Sequence, residues 1–383
     1  MLKEMRENKG MPFVFEPQRL RDARIASGKT IKEVAEEIGV SSQAISMYEL
    51  SRCKPKAELF LKLMKLYHLP IYFFKKPYHH LNQSQVYFRS FSATTSTKRN
   101  TSIVLSNWVC DEIYEFLKNI IRFPQVDKLF NRIRDFNNID TFQNMEYWAR
   151  FVRKAWELDD KPISNLIRLL EEKGVIVVLL DLDTTIDGFS FWYDGRPFIS
   201  ANRNNTAVRL RMSIAHELCH LLFHADRDVQ KELSKLELEA NRFAGAFLLP
   251  ENGFMKDLYS ANLDTFLYLK PKWKVSLAAM LMRVHELEFI MDDRYLYLQK
   301  QISRKHWRRV EPLDDEMPIE EPVLLKQSVK MILDNNYCRE RDLLDKIALP
   351  ISFIEEACFI KKGTLQYDDI MVDFKSSLHE LKS

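Results

Sequence analysis

The chain has 383 residues with a net charge of +3, and 46% of the residues are hydrophobic. This length predicts two to four folded units, and the hydrophobic content is sufficient for packed cores. The nearly balanced charge says nothing by itself about nucleic acid. Five scattered cysteines favour a reducing cytoplasm over a disulfide scaffold, and no apolar run is long enough to span a bilayer. We therefore expect a cytoplasmic protein that is not embedded in a membrane.

A compact helical module is predicted at residues 17–75, after a flexible N-terminus at residues 1–16. Thr30 precedes the second predicted helix and Glu33 follows three residues later, which is the pattern of a capping box. A tight turn is expected at Gly39-Val40-Ser41, before a third helix. Two short helices joined by a glycine-containing turn are typical of a helix-turn-helix.

This module resembles the Xre/Cro class of DNA-binding domains. The resemblance rests on Arg19-Leu20-Arg21, Thr30 to Ala35, Gly39-Val40-Ser41, Ile45-Ser46 and Glu49. In such modules the second helix of the motif enters the major groove of double-stranded DNA. The resemblance implies contacts from the outward residues of that helix and the basic loop after it, namely Ser42, Gln43, Ser46, Met47, Arg52, Lys54 and Lys56. The alternative is an interaction module without DNA contact, because few basic residues line the helix itself.

A polar stretch rich in serine and threonine predicts a linker at residues 76–102. A helical connecting region follows at residues 103–160. Its predicted helices span residues 103–121 and 142–156, and the aromatic stripe on the second of these indicates packing rather than ligand binding.

A small sheet is predicted next. Residues 175–180 form a continuous apolar run, and residues 188–193 and 196–201 flank an Asp194-Gly195 hairpin turn. An exposed edge of such a sheet can add an extended peptide as another strand. This gives a physical basis for binding a peptide substrate.

The motif H-E-x-x-H lies in the helix-forming run Ser213 to His224. His216 and His220 are four residues apart, so they project from one helix face and can share a zinc ion. A catalytic zinc site uses three protein ligands and leaves one position for water. The carboxylate of Glu217 would lie beside that water and could accept its proton.

The third ligand is expected on a helix at residues 232–249, which carries Glu237 and Glu239. Glu239 shares a helix face with Phe243 and is therefore expected to point inward. Glu237 is more often a solvated charge, so it ranks second.

These residues resemble the ImmA/IrrE metallopeptidases of bacteria, phages and mobile elements. The resemblance rests on His216 to His220, Leu221 to His224, Glu239 to Ala244 and Leu248-Leu249-Pro250. The family has a zincin fold, and characterised members cut or control partner repressors. The resemblance implies a catalytic domain at residues 161–300, with Zn²⁺ ligands His216, His220 and Glu239 and with Glu217 as catalytic acid and base.

Two further residues of the run leave alternatives open. Cys219 is interpreted as a packing residue rather than a ligand. His224 extends the stripe of histidines by four residues and could contact substrate. A helix-end histidine near the C-terminal dipole is the favoured alternative.

The C-terminal region at residues 301–383 is predicted to be helical. Before this region, a helix at residues 272–283 is expected to pack on the catalytic core. Within it, residues 302–322 are expected to be irregular, and tail helices are predicted at residues 323–335 and 342–359. The apolar faces of the tail helices suggest docking or self-association as a homodimer.

The expected fold class is multidomain and mainly α, with an α+β catalytic part: an N-terminal helix-turn-helix bundle, a zincin-like metallopeptidase domain with a small sheet, and a helical C-terminal tail. The expected function is a zinc-dependent endopeptidase coupled to DNA binding. By resemblance, it cleaves or controls a repressor or antitoxin-like protein in a stress-response or mobile-element circuit. The alternative is a non-cleaving regulator or antitoxin whose metallopeptidase-like domain senses a ligand or partner.

Overall fold

The chain forms two units, each assembled from separate stretches of sequence. The computed structural model describes residues 15–78, 87–88, 95–134, 145–225, 227 and 229–366. The first unit comprises Met1–Leu81, Thr94–Arg122 and Leu325–Ser383, and the second comprises Asn82–Ala93 and Phe123–Leu324. The chain thus alternates between the two units, whereas the predicted domains simply follow one another along the sequence. The alternation depends on contacts between distant parts of the chain, which the sequence does not reveal.

Helices account for most of the described residues. They are α1 (Pro17–Ala26), α2 (Ile31–Ile38), α3 (Ser42–Glu49), α4 (Ala57–Tyr67), α5 (Ile71–Lys75), α6 (Ser96–Trp108), α7 (Glu115–Lys118), α8 (Lys128–Arg134), α9 (Met145–Ala155), α10 (Leu166–Glu172), α11 (Ala207–Phe223), α12 (Val229–Leu248), α13 (Glu251–Asp257), α14 (Leu263–Trp273), α15 (Leu277–Glu286), α16 (Asp292–Arg304), α17 (Leu324–Asp334), α18 (Glu340–Ile347) and α19 (Ile351–Ala357). A π-helix at Val109–Tyr114 joins α6 to α7. The described strands are β1 (Tyr87–Phe88), β2 (Ile176–Leu180), β3 (Gly188–Tyr193) and β4 (Arg196–Asn202).

The start and end of α2 follow from local sequence. The hydroxyl of Thr30 accepts a hydrogen bond from the backbone N–H of Glu33, and the Glu33 carboxylate accepts one from the Thr30 N–H, which completes the predicted capping box. Gly39 ends the helix with φ of 79°, a left-handed conformation that suits glycine. Ser41 then caps α3, so the predicted helix-turn-helix elements are formed.

A partly buried ion pair fixes α3 to α1. The Arg24 guanidinium donates through Nε to Glu49 Oε1 at 2.7 Å and through Nη2 to Glu49 Oε2 at 2.8 Å. It also donates to the backbone oxygen of Lys29 at 3.2 Å. Glu49 is buried, so this paired geometry satisfies a charge that water cannot reach. The orientation of α3 therefore depends on Arg24.

Helices from distant sequence complete the first unit. The polar first turn of α6 lies within the predicted linker, and the helix begins after a Thr95 cap. Trp108 near its end packs edge-to-face against Phe73 of α5 at 5.3 Å and Phe353 of α19 at 5.6 Å. The C-terminal helices therefore contribute to the core of this unit.

The tail differs from the prediction in one further respect. The helix predicted at residues 342–359 is divided into α18 and α19, because Ala348 is left-handed with φ of 59° and Pro350 follows. The apolar faces predicted to dock are buried in the protein at Leu325, Val329, Ile332, Leu343, Leu344 and Ile347. Those faces therefore give no support for self-association.

The second unit is built on a mixed sheet in the order β1-β3-β4-β2. β2 pairs with β4 in parallel, and β3 pairs antiparallel with both β4 and β1. Asp194 and Gly195 form the predicted hairpin turn with φ of 46° and 72°, as a type I′ turn requires. Helix α11 packs against β3 and β4, and α12 packs against α11.

Part of the second unit departs from the predicted elements. The helix predicted at residues 272–283 is interrupted, because Lys274 is left-handed with φ of 52° and Ser276 caps α15. Helix α16 extends into the stretch predicted as irregular. Lys270 is buried and donates to Glu311 at 3.0 Å and Asp314 at 2.7 Å, which anchors the following loop.

All five cysteines are free thiols. In the described part of the chain, no helix is both long enough and apolar enough to cross a membrane.

The Arg24–Glu49 pair gives a test of the first unit. Arg24→Met should lower the free energy of unfolding by about 3 kcal/mol, because it leaves the Glu49 charge buried without its partner. Lys29→Met should cost less than about 1 kcal/mol, since the Lys29–Glu37 pair lies at the surface. Urea unfolding followed by circular dichroism measures both, and equal losses would contradict the assignment.

Candidate metal centre and nucleic-acid interface

Helix α11 carries the H-E-x-x-H residues in a buried setting. The helix lies between the sheet and α12, so His216 and His220 are shielded from solvent. Two ion pairs hold its first turns. Arg209 bonds Asp187 at 2.8 and 3.1 Å, and the buried Arg211 pairs with Glu320. Arg211 is therefore an internal structural group rather than a surface charge.

Three donor groups converge where α11 meets α12. Nε2 of His216 lies 3.1 Å from Nε2 of His220. The carboxylate of Glu237 lies 3.4 Å from the first of these atoms and 3.5 Å from the second. This arrangement of two imidazoles and one carboxylate is a candidate metal-binding group.

The separations fit a tetrahedral ion. Zinc bonds to nitrogen and oxygen are about 2.0–2.1 Å long, which places neighbouring ligand atoms of a tetrahedron about 3.3 Å apart. The two ring nitrogens lie 3.1 Å apart, and each lies 3.4–3.5 Å from the nearer of the two Glu237 oxygens, which is close to that spacing. The two-histidine, one-carboxylate set is one that catalytic zinc sites use. The residues present therefore fit zinc.

The predicted third ligand, Glu239, does not fit this geometry. Its carboxylate is fully buried and lies 2.9 Å from Nε2 of His224, whereas Glu237 faces His216 and His220. Residues two apart on a helix point in different directions, so both glutamates cannot face one site. Glu239 does point inward, as the helix face that it shares with Phe243 predicted. The carboxylate at the cluster, however, belongs to Glu237, whose side chain is 20% exposed.

The sequence left His224 open between a substrate contact and a helix-end histidine, and the structure places it at the C-terminal end of α11. Its side chain is fully buried, with Nδ1 2.8 Å from Nδ1 of His220. Burial lowers the pKa of His224 to about 4, although the hydrogen bond with Glu239 acts in the opposite direction. His224 therefore packs as a neutral imidazole behind His220.

Two supporting residues, Ser190 and Asn241, were given no role from the sequence. The hydroxyl of Ser190 on β3 donates a 2.7 Å hydrogen bond to Oε2 of Glu217. The ring of His216 donates from Nδ1 to the amide oxygen of Asn241 on α12 at 3.1 Å. A lone serine in an otherwise apolar strand was the available signal for Ser190, and the position of Asn241 after the glutamates was the signal for that residue.

Cys219 lies within the motif but away from its chemistry. Burial raises the pKa of the Cys219 thiol well above its usual range, so it is a neutral packing group.

The residues predicted to contact DNA lie on α3 and in the loop after it. Ser42, Gln43, Arg52, Lys54 and Lys56 are exposed, and Ser46 and Met47 are half-buried. The exposed set includes three cations and one amide, which are groups that contact phosphates and base edges.

Together these features define a DNA-binding regulator with a metallopeptidase-like domain. Residues 20–74 match the helix-turn-helix family, and residues 170–285 match the IrrE N-terminal-like domain of the Peptidase_M78 family. These two matches confirm the resemblance at the level of the two domains, an N-terminal helix-turn-helix and an ImmA/IrrE-type domain after it, and they agree with the expected fold class. No curated protein matches the chain.

Glu237 provides a test of the metal centre. Glu237→Ala should weaken zinc binding by more than about 100-fold, because losing a ligand should exceed the loss of a supporting residue. Glu232→Ala on the same helix should leave affinity unchanged, since Glu232 pairs with Arg227. Competition with a chromophoric chelator measures both variants. Equal zinc affinity in the two would show that Glu237 is not a ligand.

Proposed function

We propose that the second unit is a zinc-dependent endopeptidase and that the first unit binds double-stranded DNA. The observation that carries the proposal is the convergence of His216, His220 and Glu237, with Glu217 next to His216 in the sequence. A DNA-binding regulator with a metallopeptidase-like domain follows from the two family matches. The binding of zinc, the cleavage of a peptide bond and the class of substrate are what we propose beyond this.

The proposed catalytic roles follow from position. His216, His220 and Glu237 would hold zinc, which when bound supplies Lewis-acid polarisation and makes a water more acidic. Glu217 accepts the proton of the attacking water and passes it to the leaving amine. The hydroxyl of Ser190 fixes the Glu217 carboxylate for this transfer.

A peptide substrate is supported by the strand that carries Ser190. The outer edge of β3 pairs antiparallel with β1, with Tyr87 opposite Ser190 and Phe88 opposite Phe189. This edge therefore accepts an extended backbone directly beside the residue that contacts Glu217. It is not open at these two positions, so a substrate strand there would replace the chain's own β1.

The proposed partner is a repressor or antitoxin-like protein in a stress-response or mobile-element circuit. This part rests on the family resemblance. The helix-turn-helix would bring the peptidase to an operator or regulate the protein's own promoter. A cytoplasmic location is proposed with it, and the five free thiols suit a reducing compartment. Self-association stays a prediction.

Glu217 tests the peptidase. Glu217→Gln should reduce cleavage of repressors encoded beside the gene by about 10²–10⁴-fold, because a neutral amide cannot accept the proton. The variant should still bind zinc, which distinguishes lost chemistry from a lost metal. Gel-based cleavage with Glu232→Gln as the matched control gives the measurement. Equal processing by wild type and Glu217→Gln would remove the peptidase and leave a non-cleaving sensor.

Gln43 and Lys54 test the DNA interface. Gln43→Ala should lose about 1–3 kcal/mol of discrimination between promoter and scrambled DNA, because an amide reads an adenine edge. Lys54→Ala should weaken binding to both sequences and reduce the salt slope by about one. Fluorescence anisotropy across a salt series separates the two effects. Unchanged preference in Gln43→Ala would show that α3 does not read bases.

A further inference from the structure

We propose that His224 and Glu239 are positioning residues that hold His220 with its proton on Nδ1 and its Nε2 lone pair directed at the cluster. The inference deepens the proposed metal site and rests on it for its consequence in zinc binding. It concerns two residues that the proposed catalytic roles leave unused. Both side chains are fully buried, so each has a defined set of neighbours.

The contacts form one continuous chain. Oε2 of Glu239 lies 2.9 Å from Nε2 of His224. Nδ1 of His224 lies 2.8 Å from Nδ1 of His220. Nε2 of His220 then lies 3.5 Å from the Glu237 carboxylate. A buried carboxylate is thus connected to the candidate ligand through a second imidazole.

Proton positions follow from which atoms can donate. Nζ of Lys235 lies 3.9 Å from Oε1 of Glu239, and this nearby cation favours the ionised carboxylate. An ionised carboxylate can only accept, so the ring of His224 donates to Glu239 from Nε2. A neutral imidazole carries a single ring proton, which leaves Nδ1 of His224 as an acceptor. The ring of His220 must then donate from its own Nδ1. The hydrogen bond at one ring nitrogen therefore fixes the other as a lone pair.

Helical spacing makes this chain possible. His216, His220 and His224 follow at intervals of four residues, and successive rings are 4.9 Å apart between centroids. Glu237 and Glu239 are two residues apart on α12, so they face different points along this stripe. One carboxylate meets the first two rings, and the other meets the third.

The two histidine ligands are supported differently. His216 donates to the neutral amide of Asn241, whereas His220 donates into a pair that ends on a carboxylate. Carboxylate support raises ligand basicity and fixes ring orientation. The effect of removing His224 should therefore fall on His220 and not on His216.

The test compares two substitutions at one position in the full-length protein. His224→Leu removes the acceptor that faces His220, and should weaken zinc binding by about 10–100-fold. His224→Asn keeps an oxygen near the place of Nδ1, and should stay within roughly threefold of wild type because the acceptor is retained. Competition with a chromophoric chelator measures zinc affinity, and circular dichroism checks that each variant folds.

A second measurement reads the proton without any metal. In the metal-free protein at pH 8, ¹⁵N chemical shifts of labelled histidine should show His220 protonated on Nδ1 and unprotonated on Nε2. Glu239→Gln, which is nearly isosteric, should convert part of His220 to the other tautomer. If His224→Leu fails to fold, this variant carries the test.

The outcomes separate the two proposals. A folded His224→Leu with wild-type zinc affinity, or a metal-free His220 protonated on Nε2, would overturn the positioning role. An equal loss in His224→Leu and His224→Asn would also overturn it, because the retained acceptor would have no effect. Nδ1 protonation of His220 in a wild-type protein that takes up no zinc would support the positioning pair and overturn the metal site.

Discussion

The contact between α11 and α12 is the constraint on which the candidate site depends. It brings two ring nitrogens and a carboxylate within 3.1–3.5 Å of one another in a largely buried space. Electron-rich atoms so close together repel unless a proton or a cation lies among them. The rest of the unit holds this pair of helices in place: the sheet supports α11 on one side, and Arg211 anchors its first turns.

This constraint explains why the sequence predicted part of the site and missed the rest. The spacing of His216 and His220 is a local property of one helix, so H-E-x-x-H was sufficient to bring them together. The third member depends on how α12 is rotated against α11. Glu237 and Glu239 are two residues apart, and the expectation that the more inward one binds metal selected Glu239. The structure instead brings the partly exposed Glu237 to the cluster.

The fold shows the same division between local and distant causes. The capping box at Thr30 and the hairpin at Asp194-Gly195 were predictable because each is defined within a few residues. The break at Lys274 was not predicted, because a lysine gives no local indication of a left-handed conformation. The short helices α5 and α8 also escaped prediction. The grouping of α6 with α19 depends on Trp108 meeting Phe353, which no periodicity in the sequence reveals.

The path of the backbone between the two units has a consequence for dissecting the protein. The chain passes from one unit to the other at residues 81–82, 93–94, 122–123 and 324–325. A single nick at any one of these junctions would therefore leave the halves covalently joined. A fragment ending near residue 75 would keep α3 but lose the indole of Trp108 that packs against Phe73, exposing an aromatic surface. Severing the protein into independent parts would thus require rebuilding the core of the first unit, not only choosing a place to cut.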